Sequence, residues 1–249
     1  LLMDPRVQAI SFVGSTAIGE YIYHTGTAHN KRVQALCGAK NHMVVMPDAD
    51  MDQVVDAIMG AAYGSAGERC MAISVVVTVG EDTADRMLEK LVPRVEALKV
   101  GPYTDLGSEM GPVVTPDAQA RINGYIDKGV EEGATLVRDG RGIKVAGHEG
   151  GCFVGATIFD HVKTDMSIYT DEIFGPVLSV VRSESYEEAV QLINDPEYGI
   201  GPAGFGREGE AARGVSHRVQ IGRGGWAVPI RGAGGGRGGG GWTGAVGGE

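Results

Sequence analysis

The sequence predicts an α/β architecture with mostly parallel strand pairing. Short β-prone runs alternate with amphipathic helix patterns along most of the 249 residues. Turns rich in Gly, Pro, Asn and Asp separate them, and no internal repeat appears. The length allows one large domain or two smaller ones, with ample chain to bury a core.

Charge and composition exclude several function classes. A net charge of -10 and a pI near 5.1 argue against a nucleic-acid surface, which needs clustered Lys and Arg. No apolar run reaches the ~20 residues that a bilayer crossing requires, and no signal peptide is visible, so no membrane partner is expected. Cys37, Cys70 and Cys152 are too few and too scattered for a disulfide framework or a zinc site. A reducing, cytosol-like compartment is therefore expected, in which a working thiolate survives, with no metal.

Taken in order, residues 7–13 read as a buried strand, followed by Gly14-Ser-Thr-Ala-Ile-Gly19 and the start of a helix. Such a turn brings backbone N–H groups and a hydroxyl to a positive helix terminus, which suits an anion such as a pyrophosphate. The same residues also suit an ordinary βα turn with Ser15 or Thr16 as N-cap. Residues 31–38 form a second short strand, closed by a loop through His42, which is expected to be a hydrogen-bonding loop residue. A strand over 43–47 follows. Asp48-Ala-Asp50 then caps a helix whose inner side carries Val54, Val55, Ile58 and Met59.

That helix leads into Tyr63-Gly-Ser-Ala-Gly-Glu-Arg-Cys70, and the β-prone run Ile73–Val79 comes next. Small residues before an Arg-Cys pair suit a turn that presents a thiol. The positive end of a helix dipole and the neighbouring guanidinium would both favour its thiolate. The alternative is a buried structural cysteine. Residues 81–98 form a helix with Met87, Leu88, Leu91, Val92 and Val95 as a core stripe. Val100-Gly-Pro-Tyr and Gly111-Pro-Val-Val are connectors. Thr115-Pro-Asp opens a helix bearing Ile122, Tyr125, Ile126 and Val130. Residues 134–137, 152–155 and 156–159 read as successive strands, with Cys152 a buried small hydrophobe.

Thr170-Asp-Glu-Ile-Phe-Gly-Pro176 sets an acidic pair, an aromatic and a Gly-Pro turn before a strand over 177–181. Solvation is the usual fate of such a pair as Asp171 and Glu172. A short helix from Ser185 ends at Asn194-Asp-Pro. Leu1-Leu-Met-Asp-Pro5 leads straight into structured sequence, so the record is expected to begin mid-protein. From Gly222 onward half the residues are glycine, and no packed fold is expected there. This stretch reads as a flexible tail or an altered coding end, with the second favoured.

Three of these stretches, in this order, resemble the aldehyde dehydrogenase superfamily over roughly residues 5–206. Phe12-Val-Gly-Ser-Thr-Ala-Ile-Gly19 is similar to its cofactor turn, Gly67-Glu-Arg-Cys70 to its nucleophile segment, and Glu172-Ile-Phe-Gly-Pro176 to its Glu-x-Phe-Gly-Pro element. Tyr198-Gly199 and Phe205 fit the segment that follows. Within the superfamily the resemblance is nearest to the methylmalonate-semialdehyde dehydrogenase subfamily, which is CoA-acylating. Gly-Glu-Arg-Cys and the stretch from Gly38-Ala-Lys-Asn-His42 to Asp50 carry that resemblance. Hydrolytic members have a water-activating Glu in a Glu-Leu-Gly-Gly segment, whereas this chain has Ala35-Leu-Cys-Gly38. A site lacking that base favours attack by a thiol, already a strong nucleophile. Cys37 stands where the subfamily has threonine.

The resemblance implies an aldehyde dehydrogenase-like catalytic domain (38–221), preceded by the C-terminal part of a Rossmann-like NAD-binding domain (1–37) and followed by the Gly-rich tail (222–249). It implies oxidation of methylmalonate or malonate semialdehyde, with NAD as cofactor and coenzyme A as co-substrate, through a thioester on Cys70. Such chemistry belongs to valine, pyrimidine or inositol catabolism, in the cytoplasm or, in a eukaryote, the mitochondrial matrix. Arg69 is expected to bind the substrate carboxylate, with a structural salt bridge as its alternative. Gly14, Ser15, Thr16, Cys37, Glu172 and Phe174 are expected at the cofactor, and the intact protein is expected to be a homodimer or homotetramer. Members are roughly twice as long, and their N-terminal half carries most of the nucleotide sheet and an oxyanion asparagine. A hydrolytic aldehyde dehydrogenase and an inactive fragment remain as alternatives.

Overall fold

The computed structural model describes residues 1–195, 203–207, 218 and 225–227. The chain divides into two compact units, Leu1–Ala39 and Lys40–Glu249.

In the first unit β1 (Ala9–Val13) pairs in parallel with β2 (Arg32–Leu36) through the crossover helix α1 (Thr16–Ala28). Two glycines let α1 lie close to the strands. A methyl on Gly26 would stand 2.6 Å from Val33, and one on Gly19 would stand 2.1 Å from the Cys37 Sγ. Lys31 is buried, and its Nζ donates to the carbonyls of Asp4 and Val7, tying the leading segment to the strand pair.

The second unit is built on a sheet of order β5-β6-β7-β4-β3-β8-β9, comprising β3 (Asn41–Val45), β4 (Ile73–Val79), β5 (Thr135–Arg138), β6 (Thr157–Asp160), β7 (Val177–Ser183), β8 (Ala203–Phe205) and β9 (Gly225–Ala227). Only the β5–β6 pair is antiparallel among the described strands. The central strands are buried almost throughout, as strands covered on both faces must be. Their cover comes from α2 (Met51–Tyr63), α3 (Glu81–Glu96), α4 (Pro116–Glu131), α5 (Ser167–Thr170) and α6 (Tyr186–Asn194). The expected start signals operate here: Asp50, Thr115 and Ser185 each accept backbone N–H bonds at a helix N-terminus.

Three expectations differ from the structure. Residues 152–155 form no strand: the Gly155 N–H goes to the Gly140 carbonyl, and the Cys152 carbonyl accepts from Val113, so loop partners replace a ladder. His42 lies inside β3, buried, because its ring finds partners there in the Lys40 carbonyl (2.9 Å) and the Tyr169 hydroxyl (3.1 Å). Burial pushes its pKa down to about 4. Gly225–Ala227, within the stretch expected to be unpacked, pairs with β8, while Tyr198 and Gly199 lie outside the described residues.

One buried charge holds β7 to its neighbours. The Arg182 guanidinium bonds Asp160 of β6 (2.7 Å) and reaches Glu81 and Asp85 on α3. The acids on α3 are exposed and add little, but the Asp160 side chain is only 6% exposed. Arg182→Met takes the cation from that carboxylate and leaves it the His161 N–H, and a loss of about 3 kcal/mol is expected in urea unfolding. Arg182→Lys, which keeps a cation, should recover part of it.

Candidate active site

Cys70, Glu172 and Asn41 gather for a topological reason. The nucleophile segment ends just before β4, the Glu-x-Phe-Gly-Pro stretch just before β7, and Lys40-Asn41 stand at the start of β3. These strands are neighbours in the order β7-β4-β3 and run parallel. Their amino ends therefore share one edge of the sheet.

The loop carrying Cys70 is wound by three successive left-handed residues, Ser65 (φ 54°), Ala66 (φ 53°) and Gly67 (φ 68°). For Ser and Ala such a conformation costs about 1 kcal/mol each, so the surroundings must hold it in place. Gly67 supplies the hold: a methyl there would lie 2.3 Å from the Gly175 carbonyl oxygen, so two backbones touch. Gly175 is in turn so close to α4 that its own methyl would stand 2.5 Å from Ile122. Glu68 anchors the loop from the other side, both carboxylate oxygens accepting the Val114 N–H (3.0 and 3.2 Å). Burial pushes the Glu68 pKa up, against the pull of that N–H and of Arg121.

At the end of this loop Cys70 is an exposed free thiol, not a buried one. Among the described residues the N–H groups of Cys70 and Met71 have no hydrogen-bond acceptor, which leaves donors beside the sulfur. Two expectations about its surroundings are corrected. The helix leading to the loop, α2, presents its C-terminal end, not its positive one. The Arg69 guanidinium turns back onto that end, its Nη2 donating to the carbonyls of Gly60 (2.6 Å) and Ala61 (2.9 Å). The salt bridge offered as its alternative, with Glu68 or a more distant acid, is not formed among the described residues: the α2 carbonyls hold Arg69, and Glu68 accepts from the Val114 N–H.

The Thr170–Pro176 segment is braced by α4. Tyr125 donates to Asp171 (3.0 Å) and Arg121 to the Ile173 carbonyl (3.4 Å). Asp171 is therefore a bonded carboxylate rather than a merely solvated one. Glu172 is exposed, and Phe174 follows in a left-handed conformation (φ 53°), 37% exposed. Beneath them lies fully buried Lys40, whose Nζ donates to the carbonyls of Ile168 (2.8 Å) and Asp171 (2.7 Å). Burial pushes the Lys40 pKa down to about 7, with Asp171 and Glu172 pulling it back up.

The remaining expected residues belong to the first unit. Gly14 follows β1, and Ser15 is the N-cap residue of α1, yet its side chain makes no capping bond. Thr16 Oγ1 accepts the Gly38 N–H (3.2 Å), and the Cys37 Sγ packs on Gly19. No acidic residue occupies the first turn of α1, so its N-terminus keeps unsatisfied donors of the kind that bind a phosphate.

Sequence reasoning missed Asn41 and Lys40 as parts of this site. The available signal was three polar residues in a row, Lys40-Asn41-His42, running directly into the apolar Met43-Val-Val45.

A model of the aldehyde dehydrogenase family matches residues 1–245. The chain belongs to that family. Malonate-semialdehyde dehydrogenase of Pseudomonas aeruginosa is 61% identical over 230 residues, covering 92% of this chain and 46% of the relative. The mitochondrial, acylating methylmalonate-semialdehyde/malonate-semialdehyde dehydrogenase of Bos taurus is 49% identical over 225 residues, covering 90% and 42%. A Sinorhizobium meliloti structure complexed with NAD superposes with a TM-score of 0.90 at 57% identity, covering 92% of this chain and 47% of that one. The chain thus spans less than half the length of these aldehyde dehydrogenases. Among the described residues no helix is long and apolar enough to cross a membrane.

Proposed function

We propose that this chain is the part of an NAD-dependent, CoA-acylating methylmalonate/malonate-semialdehyde dehydrogenase that carries the nucleophile, Cys70. The observation carrying this reading is an exposed thiol on a left-handed loop locked against the Glu172–Pro176 turn. The likeness to enzymes named for that reaction supports it.

The Cys70 thiolate adds to the aldehyde carbon, and the N–H groups of Cys70 and Met71 stabilise the oxyanion that forms. NAD, when bound, supplies the acceptor for the hydride lost from that carbon, leaving the acyl group as a thioester on Cys70. The coenzyme A thiolate attacks the thioester carbonyl and releases Cys70, and the β-carboxylate departs as carbon dioxide, the carbon that held it taking up a proton from solvent. Ala35 in place of a water-activating acid favours the thiol over water at this step. Glu172 would bind the ribose hydroxyls of the cofactor, and Phe174 would line the same pocket. In the first unit the N-terminus of α1, through Gly14, Ser15 and Thr16, would hold the cofactor's pyrophosphate, with Cys37 among the residues expected at the cofactor. Residues 1–37 then form the end of an NAD-binding domain and 38–221 a catalytic domain, in a homo-oligomeric protein.

The test is NADH formation from malonate semialdehyde with and without coenzyme A, beside iodoacetamide labelling. Cys70 should label faster than Cys37 and Cys152, and NADH should depend on coenzyme A. Acid production unaffected by omitting coenzyme A would indicate a hydrolytic enzyme, and an unselective Cys70 an inactive fragment.

Arg69 Nη2 is engaged at the end of α2, which leaves the Nη1 donors to bind the substrate carboxylate. Arg69→Leu should raise KM several-fold more for malonate semialdehyde than for propionaldehyde. Equal changes for the two substrates would sink this role and leave Arg69 as the clasp of α2.

A further inference from the structure

Lys40, Asn41 and His42 are 3%, 2% and 1% exposed, three consecutive polar side chains at the head of a buried strand. Burying polar groups is costly unless each is hydrogen-bonded, so the partners show what the burial is for. Asn41 Nδ2 has two hydrogens, and both are used on the loop: one on the Cys70 carbonyl (2.8 Å), one on the Ala72 carbonyl (3.1 Å). Lys40 Nζ bonds the Ile168 and Asp171 carbonyls, within α5 and immediately before Glu172. His42 secures the pair, its ring joining the Lys40 carbonyl to the Tyr169 hydroxyl.

The backbone of β3 is adapted to this arrangement. Its pairing with β4 shifts register between Asn41 and His42, from Asn41↔Ile73 to His42↔Val75. The irregularity falls where the loop joins β4, level with the two carbonyls that Asn41 holds. Both side chains act on backbone carbonyls of the two segments, which is a positioning contact.

We propose that Lys40 and Asn41 are positioning residues, Asn41 fixing the Cys70 loop and Lys40 fixing the Glu172 turn, so that one strand sets the spacing of the two. As a catalytic statement this rests on the roles given above to Cys70 and Glu172; as a structural clamp it does not.

The experiment uses the full chain with Asn41→Asp, Asn41→Ala and Lys40→Met, and with Met87→Ala, a core truncation on α3, as a control for lost stability. Peptide-resolved hydrogen exchange is followed over residues 67–73 and 168–175, and the iodoacetamide rate of Cys70 is read by mass spectrometry. Asn41→Asp sets a carboxylate against two carbonyl oxygens. Exchange over 67–73 should rise about tenfold, and Cys70 labelling should change by a similar factor. Asn41→Ala should do the same more weakly and serves if the aspartate variant does not fold. Lys40→Met should act on 168–175 and leave Cys70 labelling near wild type. Exchange unchanged in both segments, or raised everywhere as in Met87→Ala, overturns the proposal. A segment-specific response in a chain whose wild-type Cys70 labels no faster than Cys152 supports the clamp and rejects the catalytic reading of Cys70.

Discussion

Cys70→Ser is expected to reduce NADH formation at least ~1,000-fold while leaving the fold intact, because a neutral hydroxyl is a far weaker nucleophile than a thiolate. Serine needs an adjacent general base, and among the described residues nothing hydrogen-bonds the Cys70 side chain. The side chain is exposed, so exchanging sulfur for oxygen removes almost no packing, and unfolding should stay within about 0.5 kcal/mol of wild type. Two measurements decide the matter together. Urea unfolding must be unchanged, and intact-mass analysis after incubation with malonate semialdehyde and NAD must lose the acyl adduct expected on wild type. If the serine variant still forms the adduct, the nucleophile lies elsewhere. Cys37, packed on Gly19, and Cys152, partly buried against the core, are less accessible thiols and should contribute nothing.

Much of this site was legible because each motif stands just before an apolar run. Cys70 precedes Ile73–Val79, and Glu172 precedes the run that becomes β7. What a linear reading lacks is the strand order: the two motifs lie far apart in the chain, yet their strands are neighbours. Helix starts were readable from local chemistry, since Asp50, Thr115 and Ser185 act within their own turns. Long-range backbone bonds were not. Arg69 beside a cysteine suggests a substrate contact, and only the path of α2 shows that its Nη2 meets the Gly60 and Ala61 carbonyls. Asn41 was hidden for a related reason. An asparagine in a glycine-containing stretch reads as a loop residue, and its partners at Cys70 and Ala72 lie about thirty residues on. Residues 152–155 mark the opposite error, a β-prone triplet whose flanking glycines hand its backbone groups to loops.

Gly67→Ala should be the most destabilising single-methyl change in the loop, costing about 4 kcal/mol. Two effects add. At φ 68° an alanine Cβ crowds its own backbone, which costs about 1 kcal/mol. The larger effect is contact: the methyl would stand 2.3 Å from the Gly175 oxygen and 3.1 Å from the Ala62 oxygen, both backbone atoms that no rotamer change can move. Overpacking of this kind costs about 3 kcal/mol even where neighbours yield. Here Gly175 can retreat only into Ile122, whose side chain already fills the space behind it. The strain must therefore be relieved by lifting the Cys70 loop off the Glu172 turn. Gly60→Ala provides the contrast within the same segment. Gly60 lies in α2 with nothing within 4 Å of its added methyl, so alanine should stabilise by about 0.5–1 kcal/mol. Urea midpoints for the two variants should move in opposite directions, and Cys70 labelling should change only in Gly67→Ala. If Gly67→Ala unfolds within about 1 kcal/mol of wild type, close to what an unconstrained surface position shows, the two turns are not locked together at this point.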